Sequence, residues 1–553
     1  MKRILIVILL SAGLLFCARP SLAQTPQRGE STLEALFVDA VQLYEDEAYS
    51  AAKDRFSIIT EADPDNDAAY YYMGLCDYYL ENVKDAEAAF KEAVRLDPSN
   101  YWYRDRLAVL YSLSGKDALA ISIYESLLED YPKKTDILYN LVNLYAQSGQ
   151  MDKVLGTLDS IEAITGKDET TTLARYDVLM RQDKADEAFK ALEAFNEDYS
   201  SPQILSMMGD ACVTADRDSL ALSYYEEALS LDSEYAPAMI GRSEVFRLDR
   251  RYDEYFAAMH PFTLSGSVPS QMKSQYLSSL TDHLDARFAQ NYRPQLDSLF
   301  EEAVLVHPSD SSILLAAGSY FFRSDRRDRA GELFKSNMTQ HPDSFSAAAT
   351  YVQSLSYGED WEALAEASEE AFALFPDEPG FLDMKVLAHY NLSRYEDVLR
   401  DCRRELELFP RDSSVVLQAY STIGDVYHLI GDTKQAFKAY DRALKLNPTY
   451  APVLNNYAYY LSLTGKKLKK AYSMSAVTVE QEPDNPTYLD TFAWILHLQG
   501  KDLEAKSFFK HAMLYGGKES ATILEHYAEV LSVLGDDSLA KVYRDMAAKL
   551  PAE

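Results

Sequence analysis

Cysteine is scarce in this 553-residue chain: four occur, Cys17, Cys76, Cys212 and Cys402. The last three stand far apart inside helix-patterned sequence, which argues against a disulfide framework and for three buried thiols. Positive charge is also in deficit, with 54 Lys and Arg against 87 Asp and Glu and a formal net charge of −33. Phosphate binding needs clustered Lys and Arg, so this balance excludes nucleic acid as a partner. The acidity reads as a solvated outer face, with attraction to basic partners as the alternative. Gly and Pro are modest, at 21 and 20 residues, and no stretch alternates with the period of a β-strand. Nine histidines show no His-x-x-x-His or Glu-x-x-His spacing, which argues against zinc.

What is present is a period. Pro64, Pro98, Pro132, Pro308, Pro342, Pro376, Pro410 and Pro448 fall on a ladder whose commonest step is 34 residues. Proline cannot continue a helix, so each marks the end of a repeated unit. Numbering each unit from the residue before it puts the origins at 32, 66, 100, 134, 168, 201, 235, 276, 310, 344, 378, 416, 450, 485 and 520. Small residues recur at the eighth place, among them Ala40, Gly74, Ala108, Gly209 and Gly424, and at the twentieth, among them Ala52, Ala86, Ala221 and Ala436. Side chains of that size let two helices approach closely. Four places on stand Phe56, Phe90, Tyr124, Tyr225, Phe300, Phe334, Tyr440 and Phe509, large enough to fill the space between units, and Ala recurs at place 27 (Ala93, Ala228, Ala443, Ala512).

These residues resemble the tetratricopeptide repeat family over nearly the whole chain. The unit from Leu417, with Tyr420, Ile423, Gly424, Tyr427, Ala436, Tyr440, Ala443 and Pro448, follows the pattern throughout, with Tyr420 for the usual Trp and Ile423 for Leu. The resemblance implies an all-α fold, a right-handed α-solenoid of about fifteen stacked helix-turn-helix units. Spacing errors are mostly whole turns: the step from 378 to 416 is four residues too long and that from 235 to 276 seven too long, so the apolar stripe keeps its face. The stretch Thr263 to Pro269 reads as a kink or loop before the unit at 276. Lys470 in place of Ala, with Ala471 one position late, reads as a one-residue slip.

Lys2 and Arg3, an apolar run from Ile4 to Phe16 and Ser21-Leu22-Ala23 describe a secretory signal peptide over residues 1–23, cleaved before Gln24. The run is short for a membrane span. The alternatives are lipidation of Cys17, which would tether the chain to a membrane, and retention of the segment as an anchor. Cleavage removes three positive charges and no acid, taking the net charge from −33 to about −36. The remaining organisation is a linker over 24–32, an array over 33–262, an irregular unit with a loop insert over 263–309 and a second array over 310–550. The expected location is outside the cytoplasm, in the periplasm or at the outer-membrane periphery.

No stretch remains for a separate catalytic domain, so the expectation is a non-enzymatic scaffold without cofactor or metal. Asp63-Pro64-Asp65-Asn66-Asp67 opens like a calcium loop, but Ala68 stands where Gly is required and the segment lies at a unit junction, where Asp caps helices. Ser270 and Lys273 have Ser-x-x-Lys spacing without the partner motifs of acylating enzymes. His260, His307 and His341 each precede a proline expected to end a helix.

In the family the first helix of every unit lines a concave face, with places 2, 5, 9, 12 and 13 turned into it. Carried over to this chain, the first four units supply Phe37, Tyr44, Tyr71, Tyr78, Tyr79, Trp102 and Tyr139, and the next three supply no aromatic. Such a wall suits capture of partner proteins or extended peptides, with Asn140 and Asn143 placed to bond a peptide backbone. The other reading of these rings is intramolecular packing. Asp105 and Val109 stand where a clamp for a terminal carboxylate would need Lys and Asn. A smaller patch, Tyr459, Asp490, Trp494 and His497, ranks behind the first. Beside the scaffold stand two further readings: a lipid-anchored subunit of an envelope secretion or outer-membrane assembly machine, and a groove-based hydrolase or glycan binder, which needs two carboxylates facing each other across a pocket.

Overall fold

The second helix of each unit stops two residues short of its proline. Tyr49–Ala62 precedes Pro64, Val83–Leu96 precedes Pro98 and Thr433–Leu446 precedes Pro448. Proline pushes the residue before it out of the helical region, and Asp63, Asp97 and Asn447 adopt φ of −133°, −128° and −133°. The next helix then starts on a side-chain cap: Asn66 accepts from the Ala69 amide at 3.0 Å and Asn100 from the Trp102 amide at 3.0 Å. The calcium-like segment is spent on this junction, with Asn66 also donating to Asp63 at 3.2 Å and Asp67 accepting from the Tyr103 hydroxyl at 3.0 Å.

The computed structural model describes residues 30–550. The expected signal peptide, Cys17 and most of the expected linker lie outside them, and the first helix, Glu30–Glu45, begins three residues before position 33. Among the described residues all regular structure is helical, with one 3₁₀ turn at Gly517–Glu519 and no strand. The chain forms two compact bodies that divide between Asp249 and Arg250. The first holds six consecutive helical hairpins and helix Ala236–Leu248. The second opens with helix Tyr252–Leu264 and carries eight hairpins. Each body is an all-α repeat array, as the period requires.

Most of the hairpin turns are closed in one way. The residue at place 15 takes the left-handed conformation, as at Glu81 (φ 61°) and Gly115 (φ 69°). The following amide then reaches back to a carbonyl of the first helix, Asn82 to Asp77 and Lys116 to Tyr111, each at 2.8 Å. The small residues and the rings interlock between the two helices. Ala52, Ala86, Ala221 and Ala436 are fully buried, as are Phe56, Phe300, Tyr440 and Phe509. Burying each Phe contributes about 1.5–3 kcal/mol. The ring of Tyr225 lies so close to the first helix of its unit that a Cβ on Gly209 would come within 2.5 Å of it.

The inserts sit elsewhere than their sequence step suggests. Helix Tyr252–Leu264 runs through Pro261, so His260 lies inside a helix and only Ser265–Pro269 is loop. The unit's first helix is Ser270–Asp282, a regular 34 residues after the preceding origin. The seven extra residues follow it as a short helix, Ala286–Asn291, before the second helix Arg293–Val306. Because Phe300 lies in that second helix and Pro308 just past its end, counting back from them displaced the first helix by two turns. The four-residue insert is one extra N-terminal turn on Ser413–Leu429. The slip at 470 is real: Lys467 is left-handed, helix Leu468–Gln481 starts one residue late, and Ala471 takes the fully buried place.

Candidate functional site

The aromatic residues of the first units divide between interior and surface. Phe37 packs edge-on against Phe56 (centroids 5.5 Å) and Tyr72 (5.8 Å), and Tyr71 lies 4.9 Å from Tyr103 and 6.0 Å from Phe90. Tyr139 packs, partly buried, against the core. Tyr78, Tyr79 and Trp102 stay exposed, at 38%, 50% and 56%. Tyr79 stacks on Tyr49 at 4.7 Å, while the Lys134 amine stands 3.2 Å from the Tyr101 ring and 5.4 Å from that of Trp102. Asn140 is half-buried and Asn143 exposed.

Four of the expected residues, Tyr44, Tyr71, Tyr78 and Tyr79, meet around one cavity of about 150 Å³, which Arg106 also lines. The Arg106 guanidinium lies near the Tyr71 hydroxyl, whose ionisation it favours, and stands 3.9 Å from Asp105. Burial raises the Tyr44 and Tyr71 phenols, Arg106 opposing the rise at Tyr71. The Asp105 carboxyl is raised by burial, against the pull of Arg106 and a 3.3 Å bond from the Tyr124 hydroxyl. Tyr-rich walls around one held cation suit a polar, extended segment. Phe37, Trp102, Tyr139, Asn140 and Asn143 do not line this cavity.

A second cavity, of about 420 Å³, lies in the other body between helices Gly380–Asn391 and Ser413–Leu429, with helix Tyr395–Leu408 behind. Asp383, Leu387, Tyr390, Gln418 and Asp425 line it from the same places that carry the aromatic wall, and Glu405 lines it from the second helix. Glu405 is 2% exposed, and its Oε1 receives no hydrogen bond from the chain. Its carboxyl is pushed up to about 8, chiefly by burial and then by Asp383, with which it pairs, and by Asp401. Asp383 and Asp425 are also raised by burial, although Asp425 accepts from the Tyr440 hydroxyl (2.5 Å) and the Asn456 amide (2.9 Å).

Family comparisons bear on these hairpins directly. Tetratricopeptide repeat profiles match residues 67–100, 113–170, 417–450 and 439–471. The chain carries tetratricopeptide repeats. Among curated proteins, cellulose synthase operon protein C of Pseudomonas fluorescens (strain SBW25) is 22% identical over 348 residues, which is 59% of this chain and 27% of that protein. The chain thus spans about a quarter of the length of the relative it matches. Solved structures similar to it include Naa15/Naa10 bound to HypK-THB (16% identical, 95% of each chain, TM-score 0.37). A tetratricopeptide repeat protein from Parabacteroides merdae ATCC 43184 is 15% identical over 41% of this chain and 91% of that one, with a TM-score of 0.29. The APC/C hetero-tetramer Cut9–Hcn1 is 13% identical over 94% and 96%, with a TM-score of 0.30.

The helical hairpins also place the remaining candidates. Trp494 stacks on His526 (4.0 Å, 18°) and neighbours His497 at 5.1 Å, Asp490 holds His526 at 2.9 Å, and Tyr459 lies 6.1 Å from His526. The patch therefore gathers around His526, which spacing alone did not attach to it. Lys273, fully buried, donates to the carbonyls of Thr263 (3.0 Å) and Ser265 (2.5 Å) and faces His307 at 3.1 Å, while Ser270 donates to Asp310 at 2.6 Å. The Ser-x-x-Lys pair is thus divided between two structural tasks. Among the described residues no cluster of three His, Cys, Asp or Glu has the geometry to hold a metal, and no helix is long and apolar enough to cross a membrane. The acidic cavity escaped sequence reasoning because only aromatics were counted at the groove places. The signal was there: unit 378 has Val386 at place 8, Cys402 at 24 and Glu405 at 27, where the repeat wants a small residue, a ring and Ala.

Proposed function

We propose that the chain is a non-enzymatic scaffold that binds partner proteins or extended peptides along the first helices of its tetratricopeptide repeats, exported to the bacterial envelope. The observation that carries this reading is the exposure of Tyr78 and Tyr79 on the wall of the Arg106 cavity and of Trp102 on the following hairpin. Large rings left in water by a fold able to bury them offer contact area at low entropic cost. The test is affinity capture from envelope extracts, comparing the wild type with the Tyr78→Ala, Tyr79→Ala, Trp102→Ala triple variant. The expected result is loss of the captured partner with an unchanged helical circular dichroism signal. Unchanged capture would refute the assignment of these rings.

The alternative is a lipid-anchored subunit of an envelope secretion or outer-membrane assembly machine. The likeness to a cellulose synthase operon protein favours it. Mass spectrometry of the mature N-terminus separates the two, since an acylated Cys17 supports the tether and a Gln24 start the freely exported form.

A further inference from the structure

Unit 378 breaks the repeat at its most buried positions, with Val386 at place 8, where Gly or Ala is usual, and polar or small groups where a ring and a methyl are usual. Place 24, a ring in Phe90, Tyr225 and Tyr440, is Cys402, and place 27, Ala in Ala93, Ala228 and Ala443, is Glu405. A carboxyl in place of a methyl puts a buried polar group on the wall of the cavity, with its Oε1 met by no donor from the chain. Burying such a group is unfavourable unless something pairs with it. Buried polar residues also stand at these places in Ser368 and Asn337, but in unit 378 the departure coincides with a cavity, and local departures of this kind are where functional positions are found.

The resulting cavity has one chemical character. Its floor is Glu405, 2% exposed with Oε1 unbonded, its walls carry Asp383 and Asp425, and its rim carries Tyr390, Leu387 and Gln418. No Lys, Arg or His lines it. Basic side chains on the neighbouring helices are engaged at Asp401: His389 is bonded to it at 2.7 Å, and Lys385 and Arg400 stand 3.9 Å and 3.5 Å from it. We propose that this pocket binds an alkylammonium or guanidinium cation, its charged head on Glu405 and Asp383 and its stem against Leu387 and Tyr390. The pocket is separate from the aromatic group, and only the choice of a partner's Lys or Arg side chain as the source rests on the scaffold reading. A free polyamine offers the same head group.

Glu405 and Asp383 face each other, Asp401 and Cys402 flank Glu405 on its own helix, and Asp412 and Asp425 approach from the following helix. An entering cation displaces the proton this crowded pair holds at neutral pH. Binding is therefore expected to tighten from pH 6 to pH 9 and to release close to one proton at pH 7.

The test is isothermal titration calorimetry of the full chain with n-butylguanidinium and n-butylammonium, with valeramide as the uncharged control, in two buffers of different ionisation enthalpy. Saturable binding of the cations but not the amide, with proton release, is expected. Glu405→Gln and Glu405→Ala should each weaken it ~tenfold or more, the scale of removing one partner from a buried charge contact. Glu405→Ala restores the residue the repeat uses at place 27, so its fold is expected to persist. Equal binding of valeramide, or unchanged affinity in both variants, overturns the proposal. An Ac-Gly-Arg-Gly-amide peptide binding more tightly than putrescine assigns the cation to a peptide, and the reverse order assigns it to a free amine. Loss of capture in the tyrosine and tryptophan variant leaves this outcome untouched, so the two readings fail separately.

Discussion

Replacing Glu405 by Gln should remove a pH dependence of stability that the wild type carries. Glu405 titrates at about 8 in the folded chain against a usual 4.5. Below pH 4.5 both folded and unfolded chains hold the proton and the group contributes nothing to the balance. Between 4.5 and 8 the unfolded chain releases it while the folded chain keeps it, so stability falls as pH rises. Above 8 the loss is complete. At 1.36 kcal/mol for each pH unit the window amounts to on the order of 5 kcal/mol, and the group's near-complete burial leaves little solvent to screen it. Gln has no proton to lose, and its amide can donate to Asp383. Native-state hydrogen exchange of the segment 395–408, followed by mass spectrometry and corrected for the intrinsic exchange rate, reads this locally. Protection in the wild type should fall from pH 5 to pH 8.5, and in Glu405→Gln it should stay nearly level. Parallel slopes in the two proteins would refute the argument that Glu405 is protonated in its cavity.

Gly209→Ala drives a methyl to within 2.5 Å of the Tyr225 ring and should destabilise the first body by about 1–3 kcal/mol in urea unfolding. Glu81→Gly relieves a left-handed residue in an exposed turn and should stabilise it by about 0.5–1 kcal/mol in the same assay. Lys273→Met leaves the carbonyls of Thr263 and Ser265 without their donor and should cost about 2 kcal/mol, seen as a lower Tm and faster exchange at Ser265–Pro269.

The hairpins were readable because their determinants are local and repeated. Pro64 and Pro98 stop helices whatever surrounds them, and Ala52 and Gly209 are small because a second helix lies against them. The inserts were harder, since a two-turn insertion leaves the apolar stripe in phase on both sides. The period then states that seven residues were added but leaves open whether they precede Ser270 or follow Asp282. The site was readable only in part for a similar reason. Groove places are shared by rings that turn inward, such as Phe37, and rings that turn outward, such as Tyr79, and the difference depends on neighbours like Tyr72 and Tyr49 at other places of the repeat. His526 joined Trp494 through a contact between adjacent units, which no spacing within one unit encodes.

The three thiols within helices have a practical consequence. Cys76, Cys212 and Cys402 are each at most 2% exposed and sit in three different hairpins. Burial raises all three, Cys76 to about 12, so an alkylating reagent meets no reactive thiolate while the surrounding hairpin is closed. The unmodified protein therefore carries its own set of clocks. The rate at which each cysteine acquires a label, resolved by peptide mass, times the transient opening of its own stretch of chain, and occupation of the cavity lined by Glu405, on the same helix as Cys402, should slow that one clock alone.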